Sequence, residues 1–425
     1  DCEALQSLDV SGNALTSLYI PDYTPLRELN IKGNNITIPA LPAKGELTTY
    51  LYAPQREIQL PTKAPSINLT SEWLEENGMT TVYKWFTTVG NTPLTDTQIS
   101  GEKGRFTFLD ANAGEVYCTI SHPAFPDFDS DPIRTTPVET AEMPQHVFAT
   151  FTTVEDGEAT LTLTAAKEGT AVYVDWNGDG TLEQYILAES YIPFTVTTHA
   201  GTDVKCYSYD ENDGLTVFSL TDARLSKIDA SAMKGLIHFS CSNAGLKDGS
   251  FKLPASPLSE INMQGNELTA IDLSAYRSTL STLSLNSNRF ETFDLTPYQA
   301  LTLAHIGSSG LKEVKMDNPA LWELNLMGNE LTSIDLSKVP AMEQLWLSNN
   351  NLTAIDVDGL TSLRALTIDG NRFTFATLPA IKDSYYLYVF VNQQPIAIDV
   401  ADGKVDLSSQ AKVGDSATTY RWFID

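Results

Sequence analysis

The sequence predicts a mainly β fold: an elongated, modular chain in which a solenoid of short stacked coils adjoins small β-sandwich units. Three observations predict it. An apolar-x-x-apolar-x-apolar-x-x-Asn-x-apolar phrase recurs from Leu258 to Phe373. Its Asn positions are spaced 22, 21, 20, 21 and 21 residues apart. Outside that stretch, short runs alternate apolar and polar residues between turn residues, the period of half-buried strands.

The first copy reads Leu258, Ile261, Met263, Asn266, Leu268, and the second Leu280, Leu283, Leu285, Asn288, Phe290. The third, Leu301, Ala304, Ile306, Ser309, Leu311, carries Ser where the others carry Asn. Three more copies follow, at Leu321–Leu331, Met342–Leu352 and Leu363–Phe373. Apolar residues two apart lie on one face of a short strand and point into the coil. The Asn turns the chain after the strand, and its amide can bond the backbone of neighbouring coils. One coil cannot bury its apolar face alone, so neighbours must stack. Phrase and period resemble the leucine-rich repeat family. The tails LTAIDLS (Leu268–Ser274) and LTSIDLS (Leu331–Ser337) look most like bacterial surface proteins of the internalin-like kind. The resemblance covers roughly residues 225–380 and a piece at the N-terminus. It implies a stack of parallel strands with a concave binding face, on an exported or cell-surface protein.

Composition narrows the partners. The 425 residues carry 27 Lys+Arg against 54 Asp+Glu, a net charge of −27. That opposes nucleic acid and anionic membrane surfaces, which need a basic patch. No apolar run reaches membrane-spanning length, so no membrane insertion is expected. The chain opens inside a repeat, as a processed or trimmed piece would. Cys2, Cys118, Cys206 and Cys241 show no metal-ligand spacing. Cys241 sits where a repeat buries an apolar residue and is expected to be a small core hydrophobe. The repeat register places Cys2 inside a coil, in preference to a lipid-attachment cysteine.

Taken in order, residues 1–45 hold two repeats, a partial array. Asn13 and Asn34 stand 337 residues before Asn350 and Asn371, and Trp85 stands 337 before Trp422. A tandem module, cut at both ends, explains one offset across repeat and non-repeat sequence alike. Residues 46–142 alternate as an all-β sandwich, with strands expected at Tyr50–Ala53, Ser66–Thr70, Val82–Thr88, Arg105–Asp110 and Gly114–Ile120. Trp85 and Tyr117-Cys118 resemble the central Trp and Cys strand of an immunoglobulin-like domain. Ser66–Thr70, where the partner Cys would lie, has none, so Cys118 is expected as a buried thiol. Another sandwich topology remains the alternative. Residues 143–220 read as a small β-domain capping the array, with strands at His146–Thr153, Glu158–Ala165, Ala171–Trp176, Phe194–Ala200 and Val204–Tyr209. The main array occupies 221–380, and 381–425 repeats the opening of the immunoglobulin-like domain. That half-sandwich exposes an edge and should pack on the last coil or pair with another molecule.

Asp175-Trp176-Asn177-Gly178-Asp179-Gly180 has alternate oxygen donors and a sixth-position Gly, suited to calcium through Asp175, Asn177 and Asp179. The twelfth position is Ile186, where a bidentate Glu would be needed. The competing interpretation is a strand ending in a turn; apart from this possible calcium, no cofactor is expected. His122, His146, His199, His238 and His305 lie apart, with no nucleophile or metal spacing. No catalytic residue is therefore assigned, and the chain is expected not to be an enzyme.

Stacking puts the outward residues of the coils in columns. The central column reads Asn262, Ser284, His305, Asn325, Trp346, Thr367. Its neighbours hold Gln264, Asn286, Met327, Ser348 and Asp369 on one side, and Glu260, Glu323 and Gln344 on the other. The expected contact residues are Gln264, Asn286, His305, Asn325, Met327, Gln344 and Trp346. Aromatics dominate protein hot spots, and a Trp framed by amides also suits a sugar. The expected function is non-catalytic binding of a protein on a host or neighbouring cell; the alternative is a glycan-binding accessory protein of the bacterial surface.

Overall fold

The computed structural model describes residues 4–21, 24–179, 182–209, 214–395, 400–401, 404–413 and 416–421. Cys2, Gly180 and the Trp422-Phe423 end of the repeated aromatic motif lie outside the described residues. The chain is a mainly β solenoid with very little helix; among the described residues the one α-helical turn is Asp127–Ser130.

Each coil of the array contributes a three-residue strand. These run Glu260–Asn262, Thr282–Ser284, Leu303–His305, Glu323–Asn325, Gln344–Trp346, Ala365–Thr367 and Leu387–Val389, all parallel. The register sets Ile261, Leu283, Ala304, Leu324, Leu345 and Leu366 side by side, each 1% exposed or less. Fully burying one such leucine contributes about 1.5–3 kcal/mol, repeated coil after coil.

The Asn of the phrase is a staple between coils. Asn350 Nδ2 donates to Leu347 O in its own coil (3.0 Å) and to Leu326 O in the coil before (2.9 Å). Its Oδ1 accepts the N–H of Leu331 (3.1 Å). Asn266, Asn288 and Asn371 repeat the pattern. Where Ser309 replaces Asn, Asn329 Oδ1 takes both the Ser309 and the Leu311 N–H, each at 3.0 Å. The Asp of the IDLS tails works locally: Asp335 Oδ1 accepts the Ser337 N–H (2.9 Å), and Asp272 does the same for Ser274 (2.9 Å). These are Asx turns that reverse the chain on the far side of the coil.

The array does not begin at an edge. Its sheet has eleven strands and continues through His238–Ser242, Leu215–Thr221, Gly157–Ala165 and Pro193–Thr198. Leu215–Thr221 pairs parallel with His238–Ser242 on one side and antiparallel with Gly157–Ala165 on the other. A second, six-stranded sheet holds His146–Thr153, Thr170–Asp175, Glu183–Leu187, Asp203–Ser208, Leu225–Asp229 and Phe251–Lys252. The side chains of Phe151, Trp176, Phe218 and Phe239 belong to the same apolar cluster as the array leucines.

A second apolar cluster joins the first coils to the β unit that follows them. The strands Ser7–Asp9, Glu28–Asn30 and Thr49–Leu51 pair in parallel. Beyond them, Val82–Thr87 pairs with Glu115–Ser121, while Arg105–Phe108 pairs with Ser66–Asn68 and Ile99–Glu102. Trp85, 5% exposed, lies between the two sheets against Phe106 (5.6 Å) and Phe108 (5.3 Å). Cys118 is a free, fully buried thiol opposite Trp85, held well above the usual thiol range by burial.

The duplication is visible bond by bond. Gln55 Nε2 donates to Ile31 O and Gln393 Nε2 to Ile368 O, both at 3.0 Å. Tyr83 OH donates to Leu69 O (3.0 Å) and Tyr420 OH to Leu407 O (3.1 Å). Tyr50 OH donates to Pro42 O and Tyr388 OH to Pro379 O, both at 2.7 Å. After the array, the chain packs on the last coil: Leu387–Val389 adds to Ala365–Thr367, and Tyr385, Tyr388 and Phe390 join the array core.

Candidate binding face

Alternation along each three-residue strand decides what the sheet presents. The middle residue enters the coil, and its two neighbours face outward. Register makes Asn262, Ser284, His305, Asn325, Trp346 and Thr367 successive partners in one row. Glu260, Thr282, Leu303, Glu323, Gln344 and Ala365 form the row beside it. The third row continues the ladder through Gly265 N to Asn286 O (2.9 Å), Ser308 N to Met327 O (2.7 Å) and Gly328 N to Ser348 O (2.9 Å).

Gln264, Asn286, His305, Asn325, Met327, Gln344 and Trp346 are all half-buried on this face. His305, Asn325, Met327, Gln344 and Trp346 come from three consecutive coils, and Asn286 lies one coil before them. Gln264 is four strands from Trp346, roughly 19 Å at ~4.8 Å per strand, and does not share its patch. His305 Nε2 is 2.8 Å from Glu323 Oε1. Asn286 Oδ1 accepts the Gly307 N–H (2.6 Å), and Asn325 Oδ1 accepts the Met327 N–H (3.0 Å). Those two amides thus use their carbonyl oxygens to hold the chain as it leaves the strand, and what they turn outward is the NH2 group. Toward the last coil the face closes: Ala365 and Thr367 are buried, and Ser348 Oγ donates to Asp369 Oδ1.

A second cluster was not singled out from the sequence. His238, the register partner of Glu260 in the coil before, has its Nδ1 3.3 Å from Glu260 Oε2 and 3.3 Å from the hydroxyl of Tyr191. Burial pushes the His238 imidazole below its usual range, and Glu260 pulls it partly back. Tyr191 and Ile237 stand exposed beside it around a cleft of about 450 Å³. Extending the column back one coil reaches His238; nothing in the sequence connects Tyr191 to it.

Asp175 ends the strand Thr170–Asp175 and is 5% exposed, and its Oδ1 accepts the Asp179 N–H (3.2 Å). Asn177 and Asp179 are exposed. Trp176 turns inward, donating to Tyr185 OH (2.8 Å). Among the described residues no three His, Cys, Asp or Glu side chains converge as a metal site. No helix among them is long and apolar enough to cross a membrane.

No family model and no curated protein matches the chain. Solved structures that share part of the fold include YopM from Yersinia enterocolitica, with TM-score 0.32 and 19% identity over 38% of this chain and 39% of that one. A leucine-rich repeat protein of Leptospira interrogans gives TM-score 0.29 and 19% identity over 39% and 51%. The functional domain of InlJ from Listeria monocytogenes gives 0.23 and 19% over 38% and 51%. The chain thus spans between two fifths and about half of the length of these proteins. The solenoid itself rests on the parallel register and the Asn staples described above.

Proposed function

We propose that the protein is a non-catalytic binding protein of the bacterial cell surface or the extracellular space, adhesin-like, with a protein partner held on the outer face of its coil sheet. The observation that carries this is the row His305, Asn325, Trp346: three successive coils offer an imidazole–carboxylate pair, an amide and an indole in one line. A half-buried Trp beside Met327 and Gln344 has the composition of a hot spot, apolar at its centre and polar around it. The net charge of −27 favours a partner with a basic contact surface. The flanking β units, immunoglobulin-like in the case of residues 46–142, serve as spacers. Calcium at Asp175–Asp179 has no part in this proposal.

The Trp346 indole between register neighbours of amide character supports a glycan as the second possibility. One experiment separates them. The chain and its Trp346→Ala variant are applied to a glycan array and used in parallel to capture proteins from host-cell surfaces. A protein captured by the parent and lost with the variant supports the proposal. Specific sugar binding lost with the variant, and no protein capture, supports the alternative. Binding indifferent to Trp346 in both assays sinks the assignment of this face.

A further inference from the structure

The outer face does not end with the first coil. The row Gln344, Glu323, Leu303, Thr282, Glu260 continues by register into His238, Val217 and Thr164 of the lead-in β unit. Where the row crosses that junction, the loop after Glu183–Leu187 comes against it and sets Tyr191 beside His238, ring centroids 6.4 Å apart. Tyr191 is 62% exposed and Ile237 52%. Together with Glu189, His238 and Glu260 they line the cleft of about 450 Å³. No Lys or Arg side chain lines it among the described residues.

Charge is arranged differently on this face and on the turns that follow the Asn staples. On the turns, acids pair with cations of neighbouring coils. Glu267 Oε2 lies 3.0 Å from Arg289 Nη2 and 4.0 Å from Lys247 Nζ, and Glu291 Oε2 lies 3.4 Å from Lys312 Nζ. On the face, among the described residues, His238 is the one basic side chain at ion-pair distance from Glu260, and His305 the one at that distance from Glu323. An imidazole is mostly neutral at pH 7, and burial pushes His238 further that way. The Glu260 side chain is still 46% exposed, and Glu189 is exposed on the cleft's rim. The cleft therefore joins an open aromatic ring, an open aliphatic side chain and two carboxylates that no Lys or Arg neutralises.

We propose that this cleft is a second anchor point for the protein partner and takes an arginine side chain of that partner. The guanidinium lies on the Tyr191 ring and pairs with Glu260 and Glu189, while its methylenes cover Ile237. Arginine suits the site better than lysine, because a flat, weakly hydrated cation can stack on a ring and fork to a carboxylate at once. Glu260 is four strands from Trp346, roughly 19 Å at ~4.8 Å per strand, so one partner can reach both. The anchor rests on the partner-binding reading given above for the presence of a partner, and its own chemistry is tested without one.

The test uses the intact 425-residue chain with isotope-labelled isoleucine methyl groups and follows the Ile237 methyl signal, assigned by its loss in Ile237→Val. The probe is N-acetyl-arginine amide, and its control is the citrulline analogue, which has the same shape and no charge. The Ile237 signal should shift saturably with the arginine probe and not with the citrulline one. Tyr191→Ala and Glu260→Gln should each weaken binding roughly threefold or more, whereas Glu291→Gln, which removes one charge from a turn, should not. Trp346→Ala should leave this titration unchanged, so that loss of the arginine anchor and loss of the Trp346 contact are read separately. No shift at Ile237, an equal shift with the citrulline probe, or binding that neither Tyr191→Ala nor Glu260→Gln weakens would each overturn the proposal.

Discussion

Glu72 and Gln410 make the same hydrogen bond in the two halves of the chain. Glu72 Oε2 accepts the Ile38 N–H at 2.9 Å, and Gln410 Oε1 accepts the Phe375 N–H at 3.0 Å. Both side chains are buried, 3% and 8% exposed. Either oxygen accepts this N–H, an ionised carboxylate the more strongly, but burial disfavours the charge on Glu72, whereas Gln410 carries none.

Burial accordingly pushes the Glu72 carboxyl up to about 7 from 4.5, the Ile38 hydrogen bond opposing only in part. A raised carboxyl means that the folded state binds the proton more tightly than the unfolded chain. The stability this gives is fully present below pH ~4.5 and is lost as pH rises through 7. The shift corresponds to about 3 kcal/mol. Chemical denaturation of the parent should therefore weaken between pH 5 and 8, and Glu72→Gln should flatten that slope. An unchanged slope in the variant would contradict the assignment.

The Asx-turn aspartates respond with the opposite sign. Hydrogen bonds from Ser337 hold Asp335 below its usual range, and those from Ser274 do the same for Asp272. A depressed carboxylate stabilises above the unfolded value of 3.8 and loses that contribution as pH falls through the folded value. Asp335→Ala should lower the melting temperature slightly at pH 6 and leave it unchanged near pH 2. Differential scanning calorimetry at the two pH values checks this.

Asn329 should be the most sensitive staple. It serves two donors, Ser309 and Leu311, besides donating to Ile306 O and Leu326 O. Asn329→Ala leaves these buried groups without partners and should cost about 2–4 kcal/mol. Asn350→Ala, whose Oδ1 holds the Leu331 N–H alone, should cost less. Urea unfolding of both variants, compared at equal m-value, ranks them.

Leu345 and Trp346 are adjacent and should separate stability from binding. Leu345 is fully buried between Leu324 and Leu366, and Leu345→Ala should destabilise by about 2–5 kcal/mol. Trp346 faces outward and is half-buried. Trp346→Ala should leave the urea midpoint within about 1 kcal/mol of the parent while costing a captured partner 2 kcal/mol or more of affinity, of order tenfold or greater.

Much of this architecture could be read from the chain because the repeat phrase constrains each coil twice. Ile261 or Leu345 must point inward by the period of two, and the Asn positions then fix the register between coils. The rows through Trp346 follow from that register alone. Other features depend on geometry that no period carries. Asn286 and Asn325 read as ligand-facing amides, but their carbonyl oxygens fold back on Gly307 and Met327, a choice made by the turn leaving the strand. Gln55 and Gln393 take the staple role one coil past the last Asn, donating to the carbonyl three residues back and to one in the coil before, as the Asn side chains do. Leu215–Thr221 precedes the first copy of the phrase and gives no sign that it is shared. Tyr191 reaches His238 only through the packing of the preceding β unit onto the array.

Because Leu215–Thr221 is hydrogen-bonded along both flanks, no seam separates the lead-in β unit from the coils. Bending the one must therefore strain hydrogen bonds that it shares with the other. Residues 146–390 should gain and lose protection from hydrogen exchange together, so that Trp346 is carried on a stiff lever instead of a hinged arm.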